Sequence, residues 1–89
     1  MNLYMVHVGY YDSSIGEGIY ESHLNYFVAG INAREAKQKV KSMQEFKEKA
    51  MHIDGIKELK GVEGYSIKLI EAKSNEEGKT FSYDQSSEL

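Results

Sequence analysis

The sequence predicts an α+β domain: one layer of mostly antiparallel sheet in the order ββαββ(β), with a single amphipathic helix packed on one face. Two observations support this fold class. Segments 3–10, 20–30, 51–59 and 65–72 are rich in β-branched and aromatic residues and are bounded by polar or glycine-containing stretches. Residues 32–50 instead repeat their apolar side chains with the period of a helix.

Length and composition limit the domain organisation. With 89 residues and a hydrophobic fraction of 40%, the chain can build one small core. We expect one domain over residues 1–72 and a polar C-terminal extension over 73–89, in which 80–83 could form an extra edge strand. The absence of cysteine excludes disulfides and thiolate metal sites. With no long apolar run and no basic leader, the protein is expected to be cytoplasmic and not to bind membranes.

The first two strands each have a clear alternation. In the second strand it places three polar side chains on one face, which are Glu21, His23 and Asn25, and apolar side chains on the other. The first strand places Tyr4, Val6 and Val8 together on one face. The apolar faces are therefore predicted to meet the helix.

The helix has a start signal at Asn32. Asn32 is a good N-cap and Glu35 follows three residues later, as in a capping box. The apolar side chains that should face the sheet are Ala36, Val40, Met43, Phe46 and Ala50. We therefore expect one continuous helix that ends near residue 51.

The third and fourth strands differ in regularity. Ile53 and Ile56 are three residues apart with Gly55 between them, which predicts a β-bulge in the third strand. Residues 60–64 are typical of a hairpin connection. The fourth strand, 65–72, alternates well and should direct three apolar side chains inward, namely Tyr65, Ile67 and Leu69.

One helix can cover only one face of such a sheet. The other face is expected to carry the polar row of the second strand together with Leu3, Met5 and Phe27. This is more apolar surface than a solvated face usually shows. We therefore predict a homodimer, formed through this open face or through a strand edge.

The three histidines fall one in each of the first three strands, as His7, His23 and His52. They could converge on a metal ion with Glu21 or Asp54 as an additional ligand. Each acid also shares a strand face with a histidine and could orient it for acid–base chemistry. The favoured interpretation is that the histidines are hydrogen-bonded or exposed, with no metal and no cofactor. The candidate ligand or interface residues are Glu21, His23, Asn25, His52 and Asp54.

Charge is distributed unevenly along the chain. Residues 32–50 contain six basic and three acidic residues, whereas residues 71–89 contain two basic and five acidic residues. The basic side chains include Arg34, Lys37 and Lys41, and they are interpreted as a solvated helix face. No nucleic-acid-binding motif accompanies them, so no nucleic-acid partner is expected.

Four short motifs carry a resemblance to a known family. They are Glu-Ser-His at 21–23, Phe-Val-Ala-Gly at 27–30, His-Ile-Asp-Gly at 52–55 and Val-Glu-Gly-Tyr-Ser-Ile at 62–67. Over residues 3–70 the chain resembles the small bacterial domain of unknown function 1543. The resemblance implies an uncharacterised α+β domain and assigns no activity. The chain departs from the pattern at Ile56, where an aromatic residue is expected, and beyond residue 71.

The residues favour one function and leave a second one open. The favoured function is a small homodimeric binding or interaction module that uses its open sheet face. The alternative is a metal-dependent or acid–base enzyme that uses His23, His52 and Asp54. The sequence identifies no small-molecule ligand or substrate for either.

Overall fold

The computed structural model of the protein describes residues 1–74 and 76–89. Its centre is a three-stranded antiparallel sheet with the order β2-β1-β3. The strands are β1 (Asn2–Tyr11), β2 (Glu21–Gly30) and β3 (His52–Leu59). Two helices follow β2, α1 (Ala33–Lys41) and α2 (Gln44–Glu48). The predicted α+β class, with an antiparallel sheet and a helical layer, is therefore confirmed.

The core lies between the helical layer and one face of the sheet. Its buried side chains are Tyr4, Val6, Val8, Ala36, Val40, Phe46 and Met51. The first three come from alternate positions of the middle strand, as the alternation of β1 predicts. Leu24, Tyr26 and Val28 of β2 pack against the same cluster. On the opposite sheet face the side chains of Glu21, His23 and Asn25 are exposed.

The predicted β-bulge is present in β3. Val8 pairs with Ile53 but His7 pairs with Gly55, so Asp54 is the extra residue. The insertion restores the alternation on both sides of it. Ile53 and Ile56 both pack against the core, while His52 and Asp54 both point to the open face.

The helix is shorter than predicted and is interrupted. Ser42 Oγ donates to the carbonyl oxygen of Gln38 at 2.8 Å, and Met43 has extended backbone angles. A hydroxyl that bonds back to the preceding turn bends or ends a helix. A second short helix then begins at Gln44, so Ala50 is exposed with a φ of 47° instead of facing the sheet.

The predicted fourth strand over 65–72 is wrong in its extent. Only a short hairpin forms, between β4 (Gly61–Val62) and β5 (Tyr65–Ser66), and it is a separate two-stranded sheet. Glu63 and Gly64 at its tip have φ values of 50° and 85°. Two consecutive positive φ angles favour a turn that matches the twist of two paired strands. The three apolar side chains predicted to point inward remain exposed or half-buried.

The extra edge strand considered at 80–83 is also wrong. Residues 80–82 belong to no strand, and a short helix, α3 (Tyr83–Ser87), follows them. Ser82 Oγ accepts from the Gln85 backbone, and the Gln85 side chain accepts from the Ser82 backbone. This reciprocal capping box favours a helix over a strand at these residues. No helix among the described residues is both long enough and apolar enough to cross a lipid bilayer.

Candidate metal centre

Four polar side chains from the two outer strands converge over the middle strand. Gly9 of β1 pairs with His23 of β2 on one side and with His52 of β3 on the other. Glu21 lies two residues before His23, and Asp54 lies two residues after His52. All four side chains therefore occupy the open face, within one strand spacing of Gly9.

Both imidazoles contact both carboxylates. Glu21 Oε1 lies 2.7 Å from His52 Nε2 and 3.2 Å from His23 Nε2. Asp54 directs its oxygens to different rings, with Oδ1 3.2 Å from His52 Nε2 and Oδ2 3.1 Å from His23 Nε2. Two nitrogen donors and two carboxylates thus form one contiguous cluster, which we call the His–carboxylate cluster.

Gly9 makes this convergence possible. Neighbouring strands lie about 4.8 Å apart, so β2 and β3 are separated by roughly 9.6 Å across β1. A side chain on Gly9 would occupy the space between them. A Cβ atom there would lie 2.7 Å from His52 Nε2 and 2.8 Å from Asp54 Oδ2, closer than atoms pack. The missing side chain lets residues of non-adjacent strands touch.

His7 and Asn25 border the cluster on the same face. His7 Nδ1 donates to Asn25 Oδ1 at 2.7 Å, and the His7 ring stacks on His23 with the centroids 5.0 Å apart. The bond to Asn25 leaves the other ring nitrogen of His7 free to act as an acceptor or ligand. Ligand atoms of His7, His23 and Asp54 lie within 4.8 Å of one another, so His7 adjoins the cluster.

The geometry of the cluster suits a cation. The ligand atoms of Glu21, His52 and Asp54 lie within 4.8 Å of one another. Ligand atoms around one tetrahedral zinc ion, bonded at about 2.0–2.1 Å, lie about 3.3 Å apart. The four nitrogen–oxygen distances, from 2.7 to 3.2 Å, already fall close to this separation. His23 belongs to a second compact set, with His7 and Asp54, so an ion held by all four cluster residues would require the side chain of His23 to move closer to the set of Glu21, His52 and Asp54.

The cluster is open to solvent. The side chains of His23 and His52 are 41% and 46% exposed, and those of Glu21 and Asp54 are 30% and 33% exposed. An ion can therefore reach the cluster without any opening of the sheet. The buried core lies on the other face of the sheet.

A second polar network joins the helical layer to the sheet. Tyr26 Oη donates to Glu45 Oε2 at 2.6 Å, and Lys49 Nζ donates to Glu45 Oε1 at 3.1 Å. Burial, followed by the bond to Glu45, raises the pKa of Tyr26 to about 12. The bonds from Tyr26 and Lys49 lower the pKa of Glu45 below its usual value of 4.5. This network joins α2 to β2 and has no contact with the His–carboxylate cluster in the structure as described.

The sequence identified all four residues of the His–carboxylate cluster but not the contacts between the two strands that carry them. The predicted acid–histidine pairs within β2 and within β3 do share a face, and the structure adds the contacts between the two strands. Of the three histidines, His23 and His52 join the cluster while His7 bonds to Asn25. Gly9 was missed as part of the site. A glycine inside a strand is a signal of close approach and could have indicated it.

Comparison of the chain with protein families, with curated proteins and with solved structures gives no match. The resemblance to domain of unknown function 1543 therefore stays a prediction. The His–carboxylate cluster is the feature of the molecule from which a function can be inferred.

Proposed function

We propose that this protein binds a divalent transition-metal ion at the His–carboxylate cluster. The observation that supports the proposal is the contact of both imidazoles with both carboxylates above Gly9. The proposed ligands are Glu21, His23, His52 and Asp54.

The donor atoms define the class of ion. Two imidazole nitrogens and two carboxylates suit zinc and its neighbours Co²⁺, Ni²⁺ and Cu²⁺. Ca²⁺ requires six to eight oxygen ligands, and Mg²⁺ prefers octahedral oxygen, so both fit this donor set poorly. The two carboxylate charges also balance the charge of one divalent ion. We therefore expect zinc-type ions to bind and the alkaline-earth ions not to bind.

Reversible binding fits the cluster better than a purely structural role. The four side chains are between 30% and 46% exposed, which gives the ion a direct route to solvent. The strands that carry them are held by the core on the opposite face. The ion should consequently exchange with solution without unfolding the domain.

Catalysis would require more than these four side chains. An acid–base enzyme needs a concave substrate site that the catalytic groups line. Of the cluster residues, only His52 borders one of the described grooves, and that groove extends away from the cluster between α1 and β3. We therefore place ion binding ahead of the enzymatic alternative.

Titration calorimetry of the full chain with Zn²⁺, Ca²⁺ and Mg²⁺ tests this proposal. We expect one Zn²⁺ per chain and no heat of binding for the other two ions. Co²⁺ in place of Zn²⁺ should give the intense visible absorption of a tetrahedral site. His52→Ala and Asp54→Ala should each abolish binding while circular dichroism shows an intact fold.

His7→Ala is the matched control, because it removes an imidazole from the same face that does not contact Glu21. It should retain Zn²⁺ binding with a small loss of affinity. The assignment of ligands is wrong if His7→Ala removes binding as completely as His52→Ala. Absence of Zn²⁺ binding by the unmodified chain would overturn the proposed function.

A further inference from the structure

We propose that the protein forms a homodimer by strand exchange, in which residues 65–71 of each copy pair with the free edge of β3 in the other copy. The proposal does not require metal binding, because it uses the outer edge of β3 and the C-terminal segment; of the proposed ligands, only His52 borders the groove at that edge. In this proposal the two copies contact each other through a strand edge and not through the open sheet face.

The donor segment has the pattern of a strand and lacks a place in the sheet. Tyr65, Ile67 and Leu69 alternate with polar or exposed residues. Tyr65 is 75% exposed and Leu69 is 39% exposed. Beyond Ser66 the segment has no ladder partner among the described residues, and its nearest backbone bond runs from Ile67 N–H to the Lys60 carbonyl at 2.8 Å. Period-2 alternation of this kind is typical of a strand buried on one side.

The acceptor is the outer edge of β3. The sheet order leaves one side of β3 without a neighbouring strand in the part of the chain described. Such an edge presents free backbone donors and acceptors to an added strand. Beside it, between β3 and α1, runs a groove of about 360 Å³. Its apolar lining consists of Phe46, Met51, Ile53 and Ile56.

The charge around the groove indicates which segment would occupy it. Lys37 and Lys41 line the groove, and Arg34 lines a second groove that continues it along α1. The helix α1 has four basic residues and one acidic residue, whereas residues 71–89 have two basic and five acidic residues. An apolar strand that leads into an acidic tail therefore matches an apolar groove with a basic rim. The C-terminal segment of this chain has both properties.

The strand that pairs with the β3 edge comes from a second copy, because residues 69–71 of the same chain lie away from that edge. Leu69, Ile70 and Glu71 line a groove together with Met1 and Ala29. Ala29 is a residue of β2, which lies on the other side of β1 from β3. In this arrangement the segment does not lie along the β3 edge of its own chain. Pairing with the β3 edge would therefore use the segment of a second copy, after residues 69–71 leave the groove with Met1 and Ala29.

Reciprocal exchange closes the assembly. If each copy is both donor and acceptor, the two contacts are related by a two-fold axis. A dimer then leaves no donor segment and no acceptor edge unpaired. Each three-stranded sheet then gains a fourth strand, and the exposed edge of β3 is covered. The predicted dimer thereby also explains the strand-like alternation of residues 65–71.

Native mass spectrometry of the full chain, with Ile67→Asp and Ile70→Asp, tests the exchange. Ile67 lies on the alternating apolar face, so Ile67→Asp should convert the dimer to a monomer. Ile70 lies on the other face of the segment and is 88% exposed, so Ile70→Asp should remain a dimer. Leu69→Asp, on the same face as Ile67, serves as a second disruptive variant if Ile67→Asp does not fold.

Hydrogen exchange distinguishes the two ways in which the segment could pair. In the exchanged dimer, amide protection of residues 66–70 and of β3 should rise together as the protein concentration increases. Protection that is independent of concentration, in a monomer, would mean that the segment pairs within its own chain and would overturn the proposal. A monomeric protein with an unprotected segment, or a dimer that survives both disruptive variants, would overturn it equally. All of these readouts are made on the protein without added Zn²⁺, so metal binding can fail while the dimer is confirmed.

Discussion

His23 and His52 are in register with each other across a single glycine. They belong to the two outer strands of the sheet, and each pairs with Gly9 of the middle strand. Residues of non-adjacent strands normally do not touch, because the side chain between them fills the space. The contact of both rings with Glu21 and Asp54 therefore depends on the absence of a side chain at Gly9.

Gly9→Ala should weaken Zn²⁺ binding. The added Cβ would lie 2.7 Å from His52 Nε2 and 2.8 Å from Asp54 Oδ2, so both ligands must move outward. We expect a loss of affinity of roughly 10- to 100-fold, the range typical of residues that hold metal ligands in place. Titration calorimetry measures this loss directly.

Gly55→Ala is the matched control for that substitution. Gly55 is also a strand glycine opposite β1, but a Cβ there meets no atom within 4 Å. It should leave the Zn²⁺ affinity within a few-fold of the unmodified protein. Equal losses in the two variants would show that strand glycines act through the backbone and not through the space above Gly9.

The contact between Tyr26 and Glu45 should make stability depend on pH. The bonds from Tyr26 and Lys49 lower the pKa of Glu45 below 4.5, so its contribution is present above 4.5. That contribution is lost as the pH falls through the lower value in the folded state. Burial and Glu45 raise the pKa of Tyr26 from 10.0 to about 12, so its contribution is lost as the pH rises between those values.

Tyr26→Phe tests this relationship by urea unfolding at several pH values. The variant should be less stable than the unmodified protein at neutral pH, because it loses the bond to Glu45. The difference should shrink as the pH falls below 4.5. Glu45→Gln should show the same loss of acid dependence. A difference between the unmodified protein and Tyr26→Phe that stays constant down to acid pH would contradict the assignment.

Ala50→Gly should stabilise the protein. The amides of Ala50 and Met51 donate to the carbonyls of Lys47 and Phe46, which is the Schellman arrangement at the end of α2. Its left-handed position is occupied by Ala50, with a φ of 47°. Glycine removes the steric cost of that conformation but adds chain entropy to the unfolded state, which leaves a net gain of about 0.5–1 kcal/mol.

Thermal unfolding measures this gain as a rise of roughly 3–6 °C in the melting temperature. Ala33→Gly is the control, because Ala33 has ordinary helical geometry in the first turn of α1. That variant should lose up to about 1 kcal/mol, since glycine is a poor helix former. A melting temperature lowered in both variants would refute the argument from the positive φ of Ala50.

Local features of the fold could be predicted from the sequence. The faces of β1 and β2 follow from alternation, and the bulge follows from the spacing of Ile53 and Ile56 around Gly55. The N-cap also forms as expected, with Asn32 Oδ1 accepting from the Glu35 backbone at 2.9 Å. Each of these depends on residues that are close together in the chain.

The features that were mispredicted are those for which the same residues favour two alternative local structures. The helical period continues past Ser42, but the bond from Ser42 to Gln38 competes with it. The capping box of Ser82 and Gln85 was present in the sequence and outweighs the weak strand pattern at 80–83. The alternation at 65–71 predicts a strand but does not indicate the sheet in which that strand pairs.

The His–carboxylate cluster could be predicted only as a list of residues. The acid–histidine pairs within each strand follow from alternation. Contact between the strands requires that β1 lies in the middle and that Gly9 is in register with both histidines. Strand order and register are set by long-range packing, which no short stretch of sequence specifies.

The bulge at Asp54 makes β3 tolerant of a shortening that would disrupt a regular strand. Removal of Gly55 would leave Ile53 and Ile56 two residues apart, so both would still face the core in an unbulged ladder. His52 and Asp54 would likewise keep their place on the open face. Removal of one residue elsewhere in β3, where the ladder has no extra residue, would instead turn one part of the strand over. For this strand the position of a deletion therefore matters more than its length.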